Sequence, residues 1–366
     1  MATSLPQKSA ALDDTPVLSG IEKYEKYTSK KTVFLIISAI GLLVLALVSV
    51  SVGSVSIPFE EVIHTLFGSG EEYRTIIWNI RLPRVITGII AGAALAIAGT
   101  VMQCVLHNPL ASPYTLGLSQ AAAFGASFAI VMFGAGTMQS SSSAAVIVNN
   151  PYIVTISAFA WALLGTGIIV VLSVLTRVSP EAMILAGVAI GSIFSAGITA
   201  VQYFADHVQL ASMVYWTFGD LGRSNWNQVW ILLAVALPTI VFFMINRWNY
   251  NAIEAGEETA KSLGVNVSGA RIGGMILSSL LAAVVVSFMG IIGFVGLLAP
   301  HMIRRLIGGN HRYLIPGSAI WGAAILMGSD TLARTVVSPL ILPVGIITSF
   351  MGGPLFIYLL IRGYRK

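Results

Sequence analysis

The chain has 366 residues, of which 56% are apolar and only 10% charged, with a formal net charge of +5. A water-soluble domain carries about 25% charged residues, so this composition excludes a globular protein in aqueous solution. A basic excess in so apolar a chain points to the cytoplasmic loops of a membrane protein rather than to nucleic acid.

Within lipid the backbone must satisfy its own hydrogen bonds, and a hydrocarbon layer of about 30 Å takes about 20 residues of helix. Barrel strands would read as alternating segments of about ten residues, and none occur. The pattern therefore predicts an all-α, polytopic protein. Residues 1–31 read as a polar cytoplasmic tail with an amphipathic stretch at Ile21–Tyr27. A membrane domain follows over 32–366, with ten spans at about 32–52, 85–106, 114–133, 152–175, 182–204, 226–246, 272–289, 291–308, 314–332 and 344–361.

Taken in order, the first span is followed by a polar segment, Gly53–Pro83. It is expected to hold a short helix after Ile57-Pro58, with Glu60 and Glu61 in its opening turn. Spans two and three are separated by Asn108-Pro109-Leu110-Ala111-Ser112-Pro113, which no helix can cross unbroken. Irregular backbone near membrane depth is tolerated where it is buried or lines a watery cavity, so this break marks a pathway candidate. Further external segments are expected at Gly134–Pro151 and Ala205–Asn225. Small residues recur inside spans, as at Gly88, Gly92 and Gly99, and let helix backbones approach closely. The stretches 85–204 and 272–362 each hold four spans, which hints at an internal repeat. With an inside N-terminus, 15 of the 20 Lys and Arg residues fall in cytoplasmic loops or tails, and Arg74, Arg81, Arg84, Arg223 and Arg334 fall outside. That asymmetry sets the orientation, with both termini in the cytoplasm of a cell whose inner membrane holds the protein.

Chemistry of its own is not expected. The chain has no Gly-x-x-x-x-Gly-Lys phosphate loop, no His-Glu-x-x-His and no Cys-x-x-Cys, so no catalytic residue, no cofactor and no metal site is assigned to it. Cys104, the single cysteine, reads as a small buried hydrophobe. Intramembrane acids that could relay protons are nearly absent, with Asp330 at a span end. An ion-gradient-driven secondary transporter working without an ATPase is the alternative reading, and the lack of mid-membrane acids disfavours it.

Several motifs appear in order. Arg81-Leu82-Pro83-Arg84 leads into Gly92-Ala93-Ala94-Leu95-Ala96-Ile97-Ala98-Gly99, then Asn108-Pro109-Leu110-Ala111-Ser112-Pro113. Leu185-Ala186-Gly187-Val188-Ala189-Ile190-Gly191 and Trp216-Thr217-Phe218-Gly219-Asp220-Leu221-Gly222 follow. Gly293-Phe294-Val295-Gly296-Leu297-Leu298-Ala299-Pro300-His301, Asp330-Thr331-Leu332-Ala333-Arg334, Leu342-Pro343-Val344-Gly345 and Gly352-Gly353-Pro354-Leu355-Phe356 close the set. From about residue 33 onward the chain resembles the permease subunits of type II ABC importers, the family of vitamin B12, haem and ferric-siderophore permeases.

That resemblance implies a permease dimer, of two identical or similar subunits, served by two cytoplasmic ABC ATPases and an external substrate-binding protein. ATP and Mg²⁺ would sit on the ATPases. The cargo would be a large metal chelate, a ferric siderophore first, otherwise haem or cobalamin. It also implies roles for particular residues. A coupling loop over about 252–271 would present Glu257, Glu258, Ala260, Leu263, Gly264 and Val265 to the ATPase, with Gly264 as a left-handed cap. Arg81, Arg84 and Arg334 would pair with carboxylates of the binding protein. Asn108 and Leu110, with Pro180 and Glu181 at the start of span five, would form the cytoplasmic gate. Pro180 and Glu181 replace the small hydroxyl residues of the vitamin B12 permease, and Ile341 stands where relatives often carry Glu. Met183, Gly187, Gly191, Ser192 and Ser195 on span five would line the pathway. Tyr203, Tyr215 and Trp216 would either stack on a macrocycle or form an interfacial belt.

Overall fold

The computed structural model describes residues 16–53, 56–68, 70, 72–134, 136–138, 146–148, 151–176, 180–338 and 340–363. In chain order the helices are α1 Pro16–Ser51, α2 Phe59–Leu66, α3 Leu82–Val105, α4 Leu118–Met132, α5 Pro151–Thr176, α6 Pro180–Phe204 and α7 His207–Thr217. They continue as α8 Trp226–Ile245, α9 Arg247–Glu254, α10 Glu257–Ser262, α11 Val267–Met289, α12 Val295–Ile307, α13 His311–Thr335 and α14 Val344–Gly363. A π-helical turn, Ile76–Arg81, runs directly into α3, and a 3₁₀ turn, Pro113–Leu116, precedes α4.

All ten expected spans coincide with helices, and α2 forms where the Glu60–Glu61 pair called for it. Three departures are informative. Helix α1 runs unbroken from Pro16 through residue 31, so the expected tail and the first span are one rod over the described residues. The segment after α6, expected as loop, contains α7, whose entry is capped by Asp206 accepting from the Gln209 amide at 2.8 Å while the Gln209 side chain accepts from the Asp206 amide. That reciprocal box satisfies two amides that would otherwise point at nothing. Between α4 and α5 a three-residue antiparallel pairing joins β1, Gly136–Met138, to β2, Val146–Val148.

Six of the described helical runs are long and apolar enough to cross a bilayer by length and composition. Helices α4, with 15 residues, and α12, with 13, are shorter. At 1.5 Å per residue they reach about 22 and 20 Å. Each follows an irregular stretch, residues 106–117 before α4 and residues 290–294 before α12. The order long helix, break, short helix, long helix, final helix therefore occurs twice, as α3 to α6 and as α11 to α14. Packing follows the same symmetry: α3 lies along α11, α3 packs on α13, and α11 packs on α5. The suspected internal repeat is real at the level of architecture.

Small residues permit this packing. A Cβ on Gly92 would stand 2.4 Å from the Gly322 carbonyl oxygen, and one on Gly322 would stand 2.4 Å from the Gly92 oxygen. Helices α3 and α13 thus touch backbone to backbone, where dispersion and close dipoles replace the hydrophobic drive that lipid cannot supply. One large buried apolar cluster joins α3, α4, α5, α8 and α11.

The bundle has two ends. The described residues between 52 and 81, the 3₁₀ turn Leu221–Arg223 and the C-terminus of α13 share the α2 end. The C-terminus of α3, α9, α10 and the N-terminus of α13 share the α10 end. Lys31 of α1 reaches this second end, its Nζ lying 5.4 Å from the centre of the Tyr313 ring.

Candidate functional site

At the α10 end, α9 and α10 form a hinge-like pair joined by Gly256, whose φ of +119° no side-chain-bearing residue adopts comfortably. Helix α10 is a single rigid turn and a half. It ends with the Val265 amide donating to the Ala260 carbonyl at 2.9 Å and the Gly264 amide donating to Lys261 at 3.0 Å. Gly264 sits at φ +80°, the left-handed cap expected from its place in the sequence. Ala260 is fully buried beneath this turn, whereas Leu263 is 68% exposed, and Glu258 also faces out. Glu257 turns the other way and pairs with Arg271 of α11. Arg271 in turn donates through Nε to the Val105 carbonyl at 3.0 Å. Helix α10 is therefore bolted to the ends of α3 and α11 at its first residue and presents an apolar tip, Leu263, at the cap that follows its last. Glu257 and Ala260 are correspondingly anchoring positions rather than presented ones.

Val105 is the last residue of α3, and the chain leaves it through the gate candidates. His107 takes a left-handed φ of +44°, the cap position, and the Asn108 amide donates to Gln103 at 3.1 Å. The Asn108 side chain accepts from the Leu110 amide at 2.8 Å, and Leu110 is exposed. So Leu110 is held out from the surface by a small ring closed by Asn108. Pro180 opens α6; the side chains of Pro180 and Glu181 lie outside the described residues.

The pathway candidates on α6 separate onto two faces. Met183 is 2% exposed, and Gly187 and Gly191 are buried against the 3₁₀ turn before α4, where a Cβ on Gly187 would meet the Thr115 oxygen at 2.4 Å. These three pack α6 against its own subunit. Ser192 and Ser195 lie on the opposite, exposed face together with Leu185, Val188 and Ile193. Helix α14 likewise leaves Phe350, Ile357 and Tyr358 exposed. Between the two breaks lies a cavity of about 260 Å³, bordered by Pro113, Tyr114, Gln120, Gly293, Phe294 and Leu297. Of the three aromatic candidates, Tyr203 and Tyr215 are exposed and Trp216 is buried in the core.

The α2 end gathers the three arginines expected to meet a soluble partner, but turns them inward. Arg81, Arg84 and Arg334 are 6%, 8% and 5% exposed. Arg81 donates to the Val50 and Ser51 carbonyls at 2.5 and 2.7 Å. Arg84 grips Asp330, and Arg334 donates to the same carboxylate at 3.1 Å and to Ser49 and Val52 oxygens at 2.8–3.0 Å. The three guanidinium groups expected to pair with carboxylates of a binding protein have acceptors within this chain. The acceptors that capture them, Asp330 and the end of α1, are distant in sequence and gave no local signal. Asp330 is buried and paired with two cations, which is the environment of a structural carboxylate. Arg223 lies nearer the surface, donating to the Tyr215 carbonyl at 2.8 Å.

One cluster escaped the sequence entirely. Cys104, Glu254 and His311 come together at the α10 end, each with a potential ligand atom within 4.8 Å of the others. They belong to α3, α9 and α13, and nothing in their spacing announces the meeting.

A polytopic helical bundle with an internal repeat, two interrupted helix pairs and a rigid surface turn at one end defines a membrane transport subunit. The chain belongs to the FecCD transport family, whose model matches residues 41–362, and it has the type II ABC importer permease fold. A Methanocaldococcus jannaschii protein named as an ABC transporter permease is 53% identical over 346 residues, covering 94% of this chain and 99% of that one. The hemin transport system permease HmuU of Yersinia pestis is 38% identical over 323 residues, covering 88% and 93%. A solved structure described as an inward-facing conformation of a transporter assigned to the metal-chelate ABC type superposes with a TM-score of 0.77 at 29% identity, covering 90% of this chain and 99% of that one.

Proposed function

We propose that this chain forms, with a second copy or a similar subunit, the translocation pathway of an ATP-driven importer for a bulky metal chelate. The hemin permease among its relatives and the metal-chelate structural neighbour support the cargo class; within it, ferric siderophores, haem and cobalamin are the candidates. Two cytoplasmic ABC ATPases would dock on α10, carrying ATP and Mg²⁺, and an external binding protein would deliver cargo to the α2 end. Both termini and α10 would lie in the cytoplasm, a reading supported by the excess of Lys and Arg in the segments assigned to that side.

The observation that carries the reading is the construction of α10. A short helix fixed at its first residue through Glu257 and Arg271, and exposing Leu263 at its tip, transmits a push without bending. Arg271 also holds Val105, so the same push reaches the Asn108–Leu110 ring. The exposed faces of α6 and α14 suit a pathway shared with a second permease copy, and a ligand with few strong contacts fits a lining of Ser192, Ser195 and aliphatic side chains. ATP binding on the partners would bias a two-state packing of these helices.

The experiment is reconstitution of the permease with its ATPase and binding protein in vesicles, followed by uptake of a ferric siderophore, haem and cobalamin in separate assays. Uptake of one of them should require ATP hydrolysis by an intact ATPase. Uptake driven by an ion gradient in vesicles lacking the ATPase would establish the secondary-carrier mechanism instead.

A further inference from the structure

The geometry points to a d-block metal site at the α10 end, in which Cys104, Glu254 and His311 bind a divalent cation of the zinc class and clip α3, α9 and α13 together. Cys104 is the penultimate residue of α3 and is 1% exposed. Glu254 is the last residue of α9, and His311 the first of α13. Their ligand atoms lie within 4.8 Å of one another, with His311 Nε2 and Glu254 Oε2 at 4.0 Å. Bonds of about 2.0–2.3 Å to nitrogen, oxygen and sulfur at tetrahedral angles place ligands about 3.3–3.8 Å apart. Rotamer adjustments of less than an ångström close that difference.

Independent support comes from the histidine. Its backbone amide donates to Asn251 Oδ1 at 2.8 Å, which fixes that oxygen as an acceptor, and Nδ1 lies 3.1 Å from the same atom. Nδ1 is therefore the protonated nitrogen, and Nε2 carries the lone pair. Nε2 is fully buried and meets no hydrogen-bond donor. A buried acceptor without a donor is a standing penalty. An imidazole whose far nitrogen donates to a fixed oxygen while the near one is aimed at a thiol and a carboxylate is the arrangement of a metal ligand with its orienting partner. The Tyr250 ring, 5.8 Å from the imidazole, holds it in place.

The charges also balance. On metal binding the Cys104 thiol, which donates to the Tyr250 carbonyl at 3.3 Å, releases its proton to solvent. Thiolate and carboxylate together neutralise a dication. Arg304 Nη1 lies 3.7 Å from Glu254 Oε1, the other carboxylate oxygen, and leaves Oε2 for the metal. Glu254 is 37% exposed, so ions enter from its side, and a water completes the coordination. Mixed thiolate, imidazole and carboxylate donors select zinc, cobalt or ferrous iron over magnesium or calcium.

The test uses purified full-length permease titrated with Zn²⁺ and, as a spectroscopic probe, Co²⁺. One equivalent should bind, Co²⁺ should show a thiolate-to-metal charge-transfer band, and Zn²⁺ should raise the thermal unfolding midpoint. Cys104→Ser should abolish the band, and Asn251→Ala, which removes no ligand atom but takes away the oxygen that holds the His311 ring and its amide, should weaken binding about 10–100-fold. Glu254→Gln, at the exposed edge, is the variant that tests the site if Cys104→Ser or His311→Gln folds poorly, and it too should weaken binding at least tenfold. Absence of stoichiometric binding, a Co²⁺ complex without the thiolate band, or binding unchanged in Glu254→Gln and Asn251→Ala would overturn the assignment. All of these readouts are independent of transport.

Discussion

Arg84 on α3 and Asp330 on α13 are joined by three hydrogen-bond contacts of 2.8–3.0 Å, and both side chains are buried. They tie, at the α2 end of the bundle, two helices whose backbones touch further along at Gly92 and Gly322. A planar guanidinium meeting a carboxylate through Nε and Nη2 is directional as well as strong. It sets the rotation of α3 against α13, which small residues alone leave loose.

The first prediction follows from that pair. Asp330→Ala leaves Arg84 and Arg334 buried without their shared anion, and removing one partner of a buried pair costs about 3–5 kcal/mol. The variant should lose a corresponding part of its resistance to unfolding, followed by tryptophan fluorescence during denaturant titration in detergent. Arg84→Met should be destabilised less than Asp330→Ala, because it leaves Asp330 its bond to Arg334. Both variants matching the wild type in stability, while binding-protein affinity falls, would return these residues to the docking role that their sequence position suggests.

The second concerns the end of α10. Gly264 has open space around the position of a Cβ, so its φ of +80° is the sole obstacle to a side chain. The left-handed region costs a residue with Cβ about 1–2 kcal/mol. Gly264→Val should therefore fray the helix end, displace Leu263 and reduce transport per ATP hydrolysed in the reconstituted complex. Gly264→Asn, which tolerates that region, should recover most of the coupling. Equal coupling ratios in wild type and Gly264→Val would remove the cap from the mechanism.

A third prediction separates the two faces of α6. The single native cysteine, Cys104, is buried, so the wild-type chain gives little background labelling. In the reconstituted transporter, Ser192→Cys and Ser195→Cys should react with a water-soluble maleimide, and the rate should change when ATP is added. Gly187→Cys, facing the 3₁₀ turn before α4, should either fail to fold or stay unlabelled. Val171→Cys on α5, exposed in the subunit and expected to face lipid, should also stay unlabelled. If Ser195→Cys behaves like Val171→Cys, the exposed face of α6 meets lipid and not the pathway.

Much of this molecule was legible in its sequence because lipid leaves the chain few choices. Runs of about 20 apolar residues must be helices, and ten of them are. Asn108–Pro113 had to break a span, because its two prolines lack the amide hydrogen that a helix needs and clash with the preceding turn. Gly264 had to end α10, because its neighbours favour helix and it alone accepts a positive φ freely. These are local rules, and they act before the helices meet.

What only the tertiary structure decided is which side chains meet across helices. The sequence placed Arg81, Arg84 and Arg334 at one end of the bundle; burial of Asp330 and the carbonyls of α1 turned them inward. It placed Met183 and Ser195 on one helix; the approach of the Pro113–Leu116 turn sent them to opposite environments. It read Cys104 as a small buried hydrophobe and gave His311 and Glu254 no role, and the crossing of α3, α9 and α13 set the three side by side. Secondary structure in a bilayer is dictated by hydrogen bonds within each segment. Contacts between segments depend on helix rotation and depth, which small steric differences at residues such as Gly92 and Gly322 set, and a one-dimensional pattern does not encode where those rotations bring distant residues together.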